Sequence, residues 1–404
     1  MNGVMQQDLP GRGSWLPLGV TLAIQAMVAM ALITVPVMAP QIAQSLGISP
    51  ALVGVFVSTT YIGAMTASLI GGVAVTRWGA MRVSQWGLAI CALGLALCTV
   101  AWLPSMLLGA LLIGLGYGPI TPASSHLLAR TTAPNRMSLV FSIKQTGVPV
   151  GFMLAGAVVP SIMLWAGWQT SLVVVAVVCL LCAALSQPLR ARFDGDRNPR
   201  QVMALSSLVE PIHLVLTYRP LTTMAICSFL FCLVQMSLTT YLVTFLHTEL
   251  AYGLVAAGLV LSFSQMGGVG GRIVWGYVAD RGLGALRTLV LLASLMALCA
   301  LGTALFTPQT PRFAVIAVLV VFGASAIGWN GVYLAEVARR APAGQASMAT
   351  GGTLVFTFSG GLIGPSVFGG LATLFGAYRA GYLALMVVAS ISGAVLVWSH
   401  QRGR

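Results

Sequence analysis

The sequence predicts an all-α polytopic membrane protein with twelve transmembrane helices. Of its 404 residues, 58% are hydrophobic and only 7% are charged, which is too few charges to cover the surface of a soluble domain of this length. Apolar runs of about 18 residues or more recur along the whole chain, and runs of that length cross a bilayer as helices. Such long continuous runs also exclude a transmembrane β-barrel, whose strands are short and alternating.

The predicted spans follow one another along the chain and are separated by polar turns. They run near 15–37, 50–75, 83–102, 105–129, 137–160, 165–189, 220–246, 253–279, 287–306, 311–335, 347–372 and 377–399. The longest polar stretch, residues 190–219, divides these spans six and six. We therefore predict an N-terminal six-helix half over 1–189, a cytoplasmic linker over 190–219 and a C-terminal six-helix half over 220–404.

Basic residues orient the predicted helices. If both termini are cytoplasmic, 16 of the 20 lysines and arginines fall on that side and two on the other. Cytoplasmic loops carry such an excess of basic residues. The sequence thus predicts a multi-pass protein of the bacterial inner membrane with both termini inside. The basic residues of the cytoplasmic loops account for the net charge of +13, so we expect no nucleic-acid partner.

Two basic residues lie within spans instead of at their ends. Lys144, the only lysine, lies in span 5, and Arg272 lies in span 8. A charge at such a depth costs about 2.5–3.5 kcal/mol and usually marks a substrate or ion pathway. At 1.5 Å per residue, both lie about 12 Å inside the cytoplasmic end of their spans, which predicts one anion site. The alternatives are a Lys144 side chain that extends to the interface and an Arg272 that pairs with a span-end acid or a carbonyl.

The two predicted halves repeat each other. A shift of 204 residues pairs Gly54 with Gly258, Ser58 with Ser262, Gly63 with Gly267, Gly72 with Gly276 and Arg77 with Arg281. The repeat mates of Lys144 and Arg272 are uncharged, so the repeat itself requires neither charge. Paired six-helix repeats are typical of secondary transporters, which bind their substrate between the halves near the midplane.

The loops after spans 2 and 8 resemble the signature of the major facilitator superfamily, Gly-x-x-x-Asp-Arg-x-Gly-x-Lys/Arg. The second copy reads Gly276-Tyr277-Val278-Ala279-Asp280-Arg281, while the first, Gly72 to Gly79, has Thr76 in place of the acid. Gly360-Gly361-Leu362-Ile363-Gly364-Pro365 in span 11 is also typical of the family. The resemblance covers the whole chain. It implies transport by alternating access, with Asp280, Arg281 and Arg77 in gating.

The same resemblance implies where a substrate would bind. In that family, spans 1, 4, 7 and 10 line the cavity, and spans 2, 5, 8 and 11 form the seam between the halves. Gly147 and Pro149 would make span 5 flexible or closely packed, as in gating. Arg272 also resembles the span-8 arginine that binds carboxylate in monocarboxylate transporters and oxalate–formate exchangers. This chain lacks the proton-carrying aspartate of the former and the span-11 lysine of the latter, so the resemblance implies anion chemistry without a particular substrate.

Four further residues are candidates for the binding pocket, although each could equally make an interhelical hydrogen bond. They are Trp329 and Asn330 in span 10, Tyr61 in span 2 and Gln265 in span 8. Tyr61 and Gln265 are repeat mates. Gln145 adjoins Lys144 but projects about 100° away around a regular helix, which makes it a weaker candidate.

The charges point to a transporter of anions. All seven acidic residues lie in loops or at span ends, so none is placed as a midplane proton carrier or as the partner of a cationic drug. We predict a secondary transporter of a small organic anion, a mono- or dicarboxylate, held by Lys144 and Arg272. Anion exchange and proton symport both fit these residues. The alternative is an efflux transporter for amphipathic or drug-like compounds.

Other function classes are disfavoured by the residue pattern. No clustered catalytic His, Asp or Ser motif is visible, so we expect no enzymatic activity. The seven cysteines lie within apolar runs, where they act as small packing residues, so we expect no metal site, disulfide or cofactor. We expect a monomer whose partners are the bilayer and a small anionic substrate.

Overall fold

The computed structural model describes residues 15–132, 137–200, 206–342 and 346–402, and within them it confirms the all-helical, twelve-span fold. The spans, numbered in chain order, consist of the following helices: Leu16–Val37; Val53–Trp78; Ala80–Cys98; Leu103–Tyr117 with Ile120–Thr131; Met137–Gln145 with Gly147–Ala166; Trp168–Leu185; Arg219–Thr248; Leu254–Val278; Ala285–Ala304; Arg312–Gly328 with Asn330–Arg340; Ala346–Phe375; and Tyr378–Arg402. Each is long and apolar enough to cross a membrane.

Shorter helices connect the spans. Ala39–Leu46 and the 3₁₀ turn Pro50–Leu52 join spans 1 and 2, and the π-turn Ala279–Leu283 ends span 8. Gln187–Phe193 and Ser206–Thr217 lie between spans 6 and 7. We call the end of the bundle that carries these last two helices the linker side, and the other end the opposite side.

Spans 4, 5 and 10 are each broken into two helices, and the break in span 5 has a clear cause in the sequence. Proline has no backbone N–H, so Pro149 leaves the carbonyl four residues before it, that of Gln145, without its helical partner. The first helix of span 5 accordingly ends at Gln145, and the second begins at Gly147. The break therefore presents a free backbone acceptor within the bundle.

Two seams join the first six spans to the last six, and at the opposite side both are formed by the same kind of close glycine contact. Gly258 of span 8 faces the carbonyl of Gly156 in span 5, and Gly54 of span 2 faces the carbonyl of Pro365 in span 11. In both pairs the approach is so close that a Cβ on the glycine would overlap the facing backbone, so only glycine fits. These contacts close the opposite side.

A serine one turn along reinforces each of these contacts. Ser262 donates to the carbonyl of Met153 at 2.8 Å, and its repeat mate Ser58 donates to the carbonyl of Leu362. The equivalence of the two pairs shows in three dimensions the repeat seen in the sequence. A further hydrogen bond, from the Tyr241 hydroxyl to the carbonyl of Ala51 at 2.6 Å, joins span 7 to the 3₁₀ turn that precedes span 2.

On the linker side, the segment that follows span 6 is bound to the first six spans. Asp194 accepts hydrogen bonds from the backbone N–H groups of Met81 (2.8 Å) and Arg82 (3.0 Å) at the start of span 3. Asp196 pairs with His126 at 2.6 Å and with Arg130 at 2.5 Å, both in span 4. Helix Ser206–Thr217 packs instead against span 11. The linker thus contacts both groups of spans.

Candidate binding cavity

A cavity of about 100 Å³ lies between the two groups of spans. It is lined by residues of spans 2, 4, 5, 7, 8, 10 and 11, namely Tyr61, Tyr117, Thr121, Gln145, Val148, Cys232, Gln235, Met236, Arg272, Trp329, Asn330, Leu354, Thr357 and Phe358. Among the described residues, Arg272 is the one charged residue in this lining, and no acid belongs to it. The cavity therefore carries a positive charge that no carboxylate of the lining neutralises.

Arg272 bridges the breaks in spans 5 and 10. Its Nη1 donates to the carbonyl of Gln145 that Pro149 leaves free, and its Nε donates to the carbonyl of Ile327 at 3.3 Å. Ile327 lies in the last turn of the first helix of span 10, where carbonyls lack an intrahelical partner. A guanidinium has five N–H donors, so three donors remain for a ligand. Pairing with a backbone carbonyl is the structural alternative to substrate binding that the sequence leaves open for Arg272.

Lys144 lies beside the cavity without lining it. Its side chain is 1% exposed, and Nζ lies 3.5 Å from Oε1 of Gln145. It is close enough to Arg272 for the two cations to interact electrostatically. No acid of the described residues forms an ion pair with it. The two candidate cations are therefore neighbours, but only Arg272 reaches the cavity directly.

Gln145, and not Lys144 as the sequence predicts, lines the cavity. Both residues belong to the helix Met137–Gln145, so their side chains project about 100° apart, as the sequence predicts, but Gln145 is the one that faces the cavity. The Gln145 side chain lines the cavity and approaches the Lys144 ammonium. It provides a polar link between the buried lysine and the cavity.

Trp329 and Asn330 line the cavity at the break in span 10. The Trp329 indole donates from Nε1 to Oε1 of Gln235 at 3.0 Å, and its ring makes edge contacts with Phe231 and Tyr333. Asn330 Nδ2 lies 3.5 Å from the carbonyl of Ile327. Because the indole can only donate, it fixes the Gln235 oxygen toward itself and leaves the Gln235 amide donors available.

The repeat mates Tyr61 and Gln265 have different surroundings. Tyr61 lines the cavity, where its hydroxyl lies 3.1 Å from the sulfur of Met236. Gln265 is 1% exposed and lies outside the lining. Its Nε2 is 3.4 Å from Oγ1 of Thr239 in span 7. The structure thus brings Arg272, Trp329, Asn330 and Tyr61 together around one cavity and places Lys144 and Gln265 behind its wall.

Tyr117 and Phe358 are lining residues that sequence reasoning missed. The Tyr117 phenol lies within electrostatic range of Arg272, and Phe358 packs at 6.3 Å from the Tyr61 ring. A signal for Tyr117 was present, since it directly precedes Gly118-Pro119, the break in a span expected to line the cavity. Phe358 had no comparable signal in its span.

The residues proposed for gating lie on the linker side or at the break in span 5. Asp280 and Arg281 are exposed in the π-turn after span 8, where Arg281 lies over the Tyr277 ring. Arg77 lies over the ring of Trp78. Gly147 packs closely against Gln25 of span 1. The role of these residues in gating stays a prediction.

The cavity continues toward the linker side. A second cavity of about 380 Å³ shares Thr121, Leu354 and Phe358 with the first, and its wall reaches Pro211 of the linker helix. Since glycine and serine contacts close the opposite side, the structure represents a conformation that is closed at the opposite side and more open toward the linker.

Comparison with known proteins agrees with this architecture. The sequence profile of the family described as Major Facilitator Superfamily matches residues 21–365. The 3-(3-hydroxy-phenyl)propionate transporter of Escherichia coli strain K12 is 26% identical over 71% of this chain and 71% of its own length. Human monocarboxylate transporter 11 is 25% identical over 78% of this chain and 68% of its own. A solved peptide transporter in complex with sulfate superposes with a TM-score of 0.79 at 14% identity, covering 96% of this chain and 94% of the other.

Proposed function

The chain belongs to the major facilitator superfamily, and we propose that it is a secondary transporter of a small organic anion with a carboxylate group. The observation that carries this proposal is Arg272, which lines a cavity whose described residues include no acid and which keeps three of its N–H donors free of described partners. A guanidinium and a carboxylate form short, charge-assisted and often bidentate hydrogen bonds. Lys144 lies close behind the wall, where its protonated form would add a second positive charge.

A neutral or cationic ligand fits this cavity poorly. It would leave the Arg272 charge unpaired in a poorly solvated site, and an unsatisfied buried charge costs more than the lost attraction alone. A carboxylate would instead neutralise the positive field of Arg272 and Lys144. The proposal therefore predicts discrimination between a carboxylate and the amide of the same shape.

The rest of the lining favours an anion with an apolar or aromatic body. Tyr61, Tyr117 and Phe358 place aromatic rings in the cavity wall, and Gln235 offers an amide near Trp329. Two relatives, a 3-(3-hydroxy-phenyl)propionate transporter and a monocarboxylate transporter, are named for carboxylates. These names support the substrate class.

We further propose that the linker side faces the cytoplasm of a bacterial cell, because 16 of the 20 basic residues lie at that side on the predicted topology. The conformation described here would then be open inward. Substrate binding would cancel charge at the seam, allow the two groups of spans to approach at the linker side and release the glycine contacts at the opposite side.

The lining favours anion exchange over coupling to protons. Within the described part of the chain, no aspartate or glutamate lines the cavity, so a proton would have to travel on the substrate, on Lys144 or on an acid at the end of a span. An exchanger needs no proton carrier. Uptake into proteoliposomes that depends on internal anion supports exchange, whereas uptake driven by a pH gradient into anion-free vesicles contradicts it.

A binding screen tests the proposed substrate class. The purified protein is heated with benzoate, 3-phenylpropionate, lactate and succinate, with the amides of these acids, and with cationic drugs. A ligand that binds the folded state raises the melting temperature by mass action. We expect at least one carboxylate to stabilise the protein and its amide to have little effect. Stabilisation by a cationic drug alone would favour the efflux alternative.

A further inference from the structure

A third cavity, which is polar, lies on the linker side, apart from the two cavities described above. It has a volume of about 700 Å³ and is formed by the ends of spans 2 and 3 and by the linker. Four of its seven lining residues are arginines: Arg77, Arg82, Arg190 and Arg197. Two of the other three are tryptophans, Trp78 and Trp86. We call these four arginines and two tryptophans the Arg–Trp pocket.

Few acids offset the charge of the Arg–Trp pocket. Asp194 lies 3.9 Å from Arg190, but its two oxygens already accept the backbone N–H groups of Met81 and Arg82. Asp196 pairs with His126 and Arg130, outside the pocket. Within the described parts of the chain, the side chains of Arg77, Arg82 and Arg197 form no ion pair with a carboxylate. The pocket therefore presents strong positive charge to a ligand.

The tryptophans place the pocket at the membrane interface. Trp78 and Trp86 are in edge contact at 5.3 Å, and they are 36% and 42% exposed. Tryptophans gather at the level of the lipid headgroups, because their rings are amphipathic. Trp78 ends span 2, and Trp86 lies in the second turn of span 3, so both lie near the linker-side ends of their spans. A phosphate at this level would be within the reach of arginines, which bind phosphate in bidentate geometry.

We propose that the Arg–Trp pocket binds the headgroup phosphate of an anionic phospholipid in the leaflet on the linker side. Basic pockets at the ends of transmembrane helices suit anionic lipids, and the exposed indoles would pack against the glycerol and upper acyl regions. Arg77 and Arg82 belong to the spans, while Arg190 and Arg197 belong to the linker. A bound lipid would therefore tie the linker to the first six spans and stabilise that contact.

The other group of spans provides a matched control. Arg281 and Arg287 lie at the corresponding ends of spans 8 and 9, but Gly282 and Val290 stand near the positions that the tryptophans occupy in the first copy. Both arginines are exposed. They thus place two arginines, as many as the tested variant removes, at the same end of the bundle without the tryptophans.

Retention of lipid, measured by native mass spectrometry on the purified protein, tests the proposal. The wild-type protein is titrated with equal amounts of phosphatidylglycerol and phosphatidylcholine, with and without excess soluble glycerol phosphate. We expect preferential retention of phosphatidylglycerol that glycerol phosphate does not abolish, because the acyl chains contribute to binding. Equal retention of the two lipids would overturn the proposal, and complete displacement by glycerol phosphate would identify a site for soluble phosphate instead.

Paired variants locate the binding. An arginine near an anionic surface contributes about fivefold in affinity, so the double variant Arg82→Gln/Arg197→Gln should lose about 25-fold in phosphatidylglycerol affinity. The control Arg281→Gln/Arg287→Gln should retain the wild-type affinity. Equal losses in both pairs would show a diffuse effect of net charge and would contradict a built pocket. The melting temperature of each variant in phosphatidylcholine confirms that it is folded.

Discussion

Arg272 in span 8 donates a hydrogen bond from its guanidinium to the backbone carbonyl of Gln145 in span 5. That acceptor is available because Pro149 has no N–H to offer it. The bond therefore joins the two groups of spans at the level of the cavity. We propose that a bound carboxylate is held by the free donors of the same guanidinium, so that binding and movement at the seam involve one side chain.

Replacing Lys144 by methionine separates its electrostatic role from folding. Lys144→Met removes a buried basic group that has no acid partner among the described residues, so we expect stability to be unchanged or raised, by up to about 3 kcal/mol. Substrate affinity should fall, but less than in an Arg272 variant, because Lys144 does not line the cavity. Melting curves and uptake assays measure both effects. Lys144→Arg keeps the charge and serves as the control, and unimpaired uptake in Lys144→Met would remove Lys144 from the site.

Tyr117 is expected to contribute to binding through its hydroxyl. It lines the cavity close to Arg272, so Tyr117→Phe removes one hydrogen-bonding group and keeps the ring. Affinity for the carboxylate should fall about two- to tenfold with little change in melting temperature. Tyr277→Phe, at an exposed tyrosine, is the control. A Tyr117→Phe protein with wild-type affinity would exclude a role for the hydroxyl.

The sequence predicted the spans and several cavity residues because these depend on local patterns. Hydropathy identified all twelve spans, and the unusual depth of Arg272 identified the charge that lines the cavity. The sequence did not show which of the neighbours Lys144 and Gln145 faces the cavity, because that depends on how the helix Met137–Gln145 packs in the bundle. The contact of Asp194 with span 3 joins residues more than 100 positions apart, so no local sequence pattern predicts it.

A larger residue at Gly258 should prevent closure of the opposite side. A Cβ there would overlap the backbone carbonyl of Gly156, and rotation of a side chain does not relieve an overlap with backbone. Gly258→Val should therefore favour the conformation that is open at the opposite side. Cys232 lines the cavity and reports this change through faster labelling by a membrane-impermeant thiol reagent applied from that side.

The same helix provides the control for Gly258. A Cβ at Gly270 would meet no atom within 4 Å, so Gly270→Val should label Cys232 at the wild-type rate. Peptide mapping distinguishes Cys232 from the other cysteines. Unchanged labelling in Gly258→Val would show that this glycine contact does not hold the opposite side closed.

Asp194 is expected to stabilise the start of span 3. Asp194→Ala removes the acceptor of two backbone N–H groups at the beginning of a helix, and loss of such a cap costs about 0.5–2 kcal/mol. The melting temperature should fall accordingly. Asp280→Ala changes an exposed acid between spans 8 and 9, in the counterpart of the loop between spans 2 and 3, and should have a smaller effect. Equal melting temperatures for the two variants would contradict a capping role for Asp194.

The central claim is that Arg272 binds the carboxylate of the substrate. Its most direct test is the uptake of 3-phenylpropionate, or of the carboxylate that stabilises the protein best, into proteoliposomes containing wild type, Arg272→Gln or the exposed control Arg287→Gln. Hydrogen bonds to a charged group contribute about 1.5–3 kcal/mol, so apparent affinity in Arg272→Gln should fall about 10- to 150-fold while Arg287→Gln matches wild type. Uptake by a folded Arg272→Gln protein with wild-type affinity would contradict the account.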